Sequence, residues 1–397
     1  MNFGLTKEEQ AVRAEARQFI KDHPPQKYAV EYEDDAFGFG GWSTAFACAV
    51  GEQGWFTRTW PKEFGGEGRP LLEKVIFVEE MAYYRAPMAS TFLPGAMAHA
   101  IMEYATPEAR EEILPKMGKG TFTGWLGFSE PQGGSDLGGI QTRAVNDGDY
   151  YIINGQKLWS AYAHNAEYCF LLTKTDVNAQ PRHGLSLFIL NKKLPGIEIE
   201  GLTTMARTHM HNVIYLNEVR VHKNYILGGL NGGFKQLISG LDSERFWGRV
   251  VKAPWAQRLL EDLIVYAKNT KRDGRYLAED PVIRDKFARC AVEIEACRLM
   301  HYEIGWKMQE GIPYGPAVTA SKLYADEMGQ RFLTFAIELL GPENQQDLRE
   351  EWQPLKNMVG MVARLHLLAY GHTLAAGSVE ILRNDLAHRR LGLPSVK

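Results

Sequence analysis

Glu244 is the residue best placed, by type and spacing, to move a proton. It lies in Gly233–Val251, GFKQLISGLDSERFWGRVV. Phe234, Leu237, Leu241, Gly248 and Val251 recur there at helical spacing and share one face. Glu244 falls on that face, between Leu241 and Gly248. A carboxylate on an apolar seam is costly unless it is paired or neutralised. Gly248 leaves the seam empty one turn later, at a cost of ~1 kcal/mol relative to alanine in a helix interior. An inward acid beside an empty patch predicts a base that meets a ligand. The competing reading is a Glu paired with a buried Arg or Lys in a helix bundle, since structural ion pairs occupy such seams too.

A second constellation is Phe128–Ile140, FSEPQGGSDLGGI. Its glycines, Gly133, Gly134, Gly138 and Gly139, let backbone N–H groups approach a ligand closely, and Ser129 and Ser135 add hydroxyls. It is not the GxGxxG dinucleotide fingerprint, and the alternative is a plain turn. Trp159, Ser160 and Ala161 close a strand, where a Trp is core or else covers a planar cofactor. His209 and His211 share a strand face but lack a nearby carboxylate or thiolate ligand, which predicts no metal site. Lys271, Arg272 and Arg275 sit in KRDGR, either a solvated basic loop or a phosphate contact.

These groups need a scaffold, and the chain supplies three textures. Residues 1–124 read as helical, with a capping box at Thr6 and Glu9 backed by Val12, Ala16, Phe19 and Ile20. Pro24 and Pro25 end that helix. Further helical patterns fall near residues 41–51, 71–85, 91–103 and 107–119. Residues 125–232 carry short β-rich runs, including a hairpin expected at Asn154-Gly155, which suggests a small antiparallel barrel or sandwich. Residues 233–397 return to long helical patterns: a first broken near Pro254, then 281–311, 316–340 and 355–390. Four such helices with short links predict an antiparallel bundle, and the whole belongs to the α+β class.

Bulk properties narrow the function. Net charge is −3, which calls for neither nucleic acid nor an anionic membrane surface. Cys48, Cys169, Cys290 and Cys297 form no CxxC pair, which suits a reducing cytoplasm. MNFGLTKEEQ shows no signal peptide, and no apolar run approaches the ~20 residues of a membrane span.

Together, SEPQGGSD, NGQKLW, LDSER and AGSVEILRN, in that order, resemble the acyl-CoA dehydrogenases over nearly the whole chain. The resemblance implies a helical N-terminal domain, a middle β-barrel domain and a C-terminal four-helix bundle. It also implies FAD, a tetramer, and an electron-transferring flavoprotein as acceptor. By position, Leu126, Phe128, Ser129, Gly134 and Ser135 line the flavin, and Ser135 also touches the coenzyme A chain. Trp159 shields the ring, with Ser160 and Ala161 beside it; Gly377, Ser378 and Glu380 approach it from the last helix. Leu241, Asp242 and Arg245 border the acyl-CoA, and Phe92, Leu93 and Met97 fall near its tail.

Many members carry their catalytic Glu where this chain has Ala376; others, including those acting on branched acyl groups, place it at the position of Glu244. The implied reaction is α,β-desaturation: Glu244 takes the α-proton, the β-hydride goes to flavin N5, and the Ala376 N–H steadies the thioester oxygen. The small Ala376 side chain implies room for a bulky, branched or cyclic acyl group. Some contacts depart from the family pattern. Ala161 replaces the usual hydroxyl donor, and Thr270 replaces a cross-subunit Arg, with Arg272 nearby. Glu338, close to Gly341, replaces a common Gln. Such changes resemble members that form mixed tetramers, so an α2β2 assembly with a homologous chain stands beside a homotetramer. A partly active or structural subunit, or a flavin oxidase or monooxygenase on the same fold, are the alternatives.

Overall fold

A computed structural model describes residues 4–31, 40–342 and 356–394. Helix α1 (Lys7–Asp22) starts as its sequence dictates: Thr6 accepts from the Glu9 N–H while the Glu9 carboxylate accepts from the Thr6 N–H. Its stripe of Val12, Ala16, Phe19 and Ile20 is buried, and the helix stops before Pro24. Then come α2 (Thr44–Glu52), α3 (Leu71–Tyr83), α4 (Ala89–Tyr104) and α5 (Pro107–Gly118).

Eight strands follow: β1 (Gly124–Gly127), β2 (Arg143–Asp147), β3 (Tyr150–Lys157), β4 (Tyr168–Lys174), β5 (Leu185–Asn191), β6 (Ile197–Leu202), β7 (His211–His222) and β8 (Ile226–Leu227). They pair in the order β6-β7-β3-β2-β4-β5-β8, with β1 alongside β4. The pairings are antiparallel except β1–β4 and the single β2–β4 contact, and the path runs from β6 to β8. β4 and β5 are buried on both faces, as their unbroken apolar runs require.

The expected hairpin at Asn154-Gly155 is wrong. β3 runs straight through these residues, and its register against β7 shifts between Ile153 and Gly155. Gly155 marks a bulge. Its virtual Cβ would stand 2.5 Å from the Thr142 hydroxyl, so only glycine fits. The hairpin turn lies earlier, at Gly148-Asp149, between β2 and β3.

Helix α6 (Gly233–Val250) docks on β5 at its first residue, where a Cβ on Gly233 would lie 2.7 Å from the Ser186 and Leu187 backbone. The chain breaks at Val251 and resumes as α7 (Lys252–Asn269), so Pro254 sits in a first turn, where its missing N–H costs little. The two-residue strands β9 (Lys271–Arg272) and β10 (Arg275–Tyr276) form a hairpin through Asp273 and Gly274, both at positive φ (51° and 81°). Helices α8 (Pro281–Gln309) and α9 (Gly315–Leu340) follow. The last expected helix, 355–390, is not continuous. α10 (Lys356–His372) ends in a turn at residues 373–378, and α11 (Val379–Asn384) restarts under the Ser378 cap, leading into a π-helical turn over Asp385–Arg390. One core joins the sheet to α3, α4, α6 and α8 through Val75, Ala96, Trp125, Phe188, Phe246, Trp247 and Ile304. No described helix is long and apolar enough to cross a membrane.

Candidate active site

On α6, Leu237, Phe246, Trp247 and Val250 are buried, as is Val251 at its C-terminal end. Glu244 lies among them, and its Oε2 is buried with no hydrogen-bond partner. Burial pushes its carboxyl pKa up, against the pull of Arg249, Arg245 and Lys322. The cations that could satisfy it are engaged elsewhere. Arg249 grips both oxygens of Asp326 (3.0 and 3.1 Å), and Lys322 donates to the same carboxylate at 2.9 Å. Both pairs are almost wholly buried. Among the described residues Glu244 makes no ion pair, and Asp326 carries the buried one.

The break after α10 faces this cluster. Ala376 adopts φ 56° and Gly377 φ 98°, left-handed values that bend the chain back on itself. The turn is pinned from two helices: Arg245 Nε donates to the Ala376 carbonyl at 2.9 Å, and Lys322 Nζ to the Gly377 carbonyl at 2.7 Å. Among the described residues, no backbone hydrogen bond uses the Ala376 N–H. Ser378 then caps α11 by accepting from Ile381, with Glu380 exposed in the first turn. The side chains of Leu241, Asp242, Phe92 and Leu93 lie outside the described residues; Met97 is buried in the core.

A second wall forms where β1 leaves the sheet. Glu130 and Gly133 exchange two backbone bonds of 3.0 Å, closing the SEPQGG loop into a tight turn. The buried Glu130 carboxylate holds the loop from inside, accepting from the Gln141 N–H (2.6 Å), the Thr142 N–H (2.9 Å) and Lys157 Nζ (2.8 Å). Lys157 also donates to the Phe128 carbonyl at 3.2 Å; burial pulls its pKa down to about 8 against the Glu130 charge. The Leu158 N–H donates to the Ser129 carbonyl at 2.9 Å. Thus Phe128, Ser129 and the end of β3 are laced together. A Cβ on Gly134 would sit 3.4 Å from the Ser129 hydroxyl, so Ser129 and Gly134 are neighbours. Leu126 and Phe128 pack on the core, and Ser135 is exposed. Trp159, just past β3, takes φ 61° and stays 54% exposed, with His211 edge-on at 5.7 Å. A large apolar ring held outward on a left-handed backbone is unusual. Ser160 is buried with its hydroxyl unpartnered, and Ala161 is partly buried.

A third group stands at the far end of α9. Arg272 donates to the Leu339 carbonyl at 3.1 Å, and a Cβ on Gly341 would lie 3.4 Å from its guanidinium. Glu338 is exposed and pairs with Lys286 at 2.7 Å. Arg272 and Gly341 therefore adjoin, while Glu338 has its own cation.

Three sequence models of the acyl-CoA dehydrogenase family match this chain: the N-terminal domain over residues 6–121, the middle domain over 126–219 and the C-terminal domain over 231–391. A probable acyl-CoA dehydrogenase, YngJ of Bacillus subtilis (strain 168), is 30% identical across 86% of this chain and 90% of its own. The chain belongs to the acyl-CoA dehydrogenase family. Among solved structures, the Tcur3481-Tcur3483 steroid ACAD shares 26% identity over the full length of both chains at a TM-score of 0.87. The ChsE4-ChsE5 complex from Mycobacterium tuberculosis gives 26% and 0.82, again over both full chains. Acyl-CoA dehydrogenases are FAD-dependent oxidoreductases acting on CH–CH bonds, and this chain is one of them.

Some elements of this dehydrogenase's site are invisible to motif reading. Asp326 and Lys322 were missed, although a Lys and an Asp four residues apart in one helix were a signal. Glu130 and Lys157 sit inside the SEPQGG and NGQK motifs, and only their contacts show that they are mates.

Proposed function

We propose that this dehydrogenase desaturates an acyl-CoA thioester between its α and β carbons, with Glu244 as the base. The observation that carries this is the buried, partnerless Glu244 oxygen beside cations already committed to Asp326. FAD, when bound, supplies the hydride acceptor. Its fit is supported by the outward Trp159 and by the tight loop that brings Ser129 beside Gly134. Leu126, Phe128, Ser129, Gly134, Trp159, Ser160 and Ala161 would form one wall, with Gly377, Ser378 and Glu380 opposite; Ser135, Leu241, Asp242 and Arg245 would take the coenzyme A thioester.

Glu244 draws off the α-proton, which the thioester carbonyl makes acidic. Negative charge then grows on the thioester oxygen, and the Ala376 N–H, held in its turn by Arg245 and Lys322 through the flanking carbonyls, is placed to donate to it. The methyl of Ala376 leaves space that suits a bulky, branched or cyclic acyl group. The decisive measurement is anaerobic mixing of the purified flavoprotein with straight, branched and polycyclic acyl-CoA esters. Flavin bleaching, strongest with bulky esters and slow to recover in air, is expected. Rapid reoxidation by oxygen would favour an oxidase, and no bleaching by any ester would end the proposal.

The four free thiols suit a cytoplasmic setting, and an electron-transferring flavoprotein is the natural acceptor. We further propose an assembly with a homologous chain, because Glu338 places a carboxylate where a cross-subunit contact is expected. The resemblance to the ChsE4-ChsE5 complex supports this. Expression of the chain alone should yield sub-stoichiometric FAD, read from the ratio of flavin to protein absorbance. A stable homotetramer with full FAD would contradict it.

A further inference from the structure

Between α3, α4 and α6 lies a cavity of roughly 40 Å³ with an apolar lining that includes Phe77, Met81, Trp247 and Val251. One charged side chain reaches into it: Lys74, from α3. Its ammonium donates to the Gly95 carbonyl at 3.0 Å and stands 4.0 Å above the Trp247 ring. Among the described residues no carboxylate compensates it. Glu73, its neighbour in the chain, is bound to Arg69. Burial alone draws the Lys74 pKa down to about 8, so the group is still mostly charged at neutral pH. An ammonium offers three donors, and the Gly95 carbonyl takes one.

The cavity lies in line with the catalytic base. Trp247 on α6 and Val251 just past its end are three and seven residues beyond Glu244, about 5 and 10 Å along the axis at 1.5 Å per residue. Thr91 and Gly95 of α4 form the facing wall. The same two helices are tied beside Glu244, where the Ser243 hydroxyl donates to the Ala96 carbonyl at 2.9 Å. A thioester with its α-carbon at Glu244 and its acyl group running between α4 and α6 would end at Lys74.

We propose that Lys74 is a specificity-determining residue that selects acyl groups bearing a hydrogen-bond-accepting oxygen at the end distal to the thioester. This rests on the desaturase reading for the direction of the substrate. The binding energy comes from supplying an acceptor to an uncompensated cation in an apolar space, where a methyl terminus would leave it unsatisfied.

The test uses two matched pairs: cyclohexylpropionyl-CoA with its ring-ketone counterpart, and a straight-chain acyl-CoA with its ω-carboxy counterpart. Binding is measured by calorimetry on holoenzyme whose flavin has been chemically reduced, so that no ester turns over. Bleaching of the oxidised holoenzyme is followed separately. The wild type should bind the oxygenated member of at least one pair about tenfold tighter or more, and Lys74→Met should erase that ratio while still binding the apolar member. Lys74→Gln should keep the ketone preference and lose that for the carboxylate, which separates the two oxygens. Equal binding of both members of both pairs by the wild type overturns the proposal, as does an unchanged ratio in folded Lys74→Met. Should the ratio hold while no ester bleaches the flavin, Lys74 stands as a ligand selector and the desaturase reading falls.

Discussion

Glu244→Gln is expected to fold, retain FAD and lose nearly all turnover. The amide matches the carboxylate in shape but cannot accept a proton. General-base catalysis contributes roughly 10²–10⁴-fold, so the anaerobic bleaching rate should fall by at least that order. Substantial residual bleaching would remove Glu244 from the base role. Two pH signatures accompany it. In the proposed role Glu244 works ionised, and burial raises its pKa; the acid limb of kcat/KM should therefore lie above the usual carboxylate range. Stability runs the other way. A carboxyl whose folded pKa is raised contributes its full stability below the unfolded value of ~4.3, and that contribution is lost as pH rises through the folded pKa. Melting curves should show the glutamine variant gaining on the wild type from mildly acidic to neutral pH, with little difference in strong acid. A constant difference across that range would mean that the side chain is not buried in solution.

Asp326→Asn is expected to be the most destabilising single change near the site. Arg249 and Lys322 both rest on this carboxylate, with side chains 1% and 0% exposed. Removing its charge leaves two buried cations uncompensated. Breaking one buried pair in this way costs about 3–5 kcal/mol, which denaturant titration of the holoprotein would read directly. Burial opposes ionisation of Asp326, but Arg249 and Lys322 outweigh it and lower its pKa. Its contribution is present above the unfolded value of ~3.9 and is lost only as pH falls through the lowered one. The variant therefore differs most from the wild type at neutral pH. A second readout separates this from a merely structural defect. Asp326 raises the Glu244 pKa, whereas Arg249 and Lys322 lower it. With the Asp326 charge gone, the acid limb of kcat/KM should move to lower pH in whatever fraction stays folded. An unmoved limb would show that the cluster does not reach the base.

The chemistry of this chain was more legible than its joints. The capping box at Thr6 and the apolar stripe behind it are local, and local rules suffice for them. Glu244 stood out because a charge on an apolar helix face is a contradiction visible in one dimension. Asn154-Gly155 misled for the opposite reason. The dipeptide permits a tight turn, but pairing with β7, more than 60 residues away, keeps the strand going and uses the glycine as a bulge. The break of the last helix at 373–378 was equally hidden. It depends on Lys322 and Arg245 offering donors to the Gly377 and Ala376 carbonyls, and no window on the sequence holds both partners.

The Ala376–Gly377 turn also sets an order of events during synthesis. Arg245 meets Ala376 across 131 residues of chain, and Lys322 meets Gly377 across 55. The helix bearing Glu244, the proposed base, is therefore made long before the Ala376 amide proposed to meet the thioester oxygen. A nascent polypeptide that has completed α6 and α9 still lacks the turn that Arg245 and Lys322 hold in the folded protein.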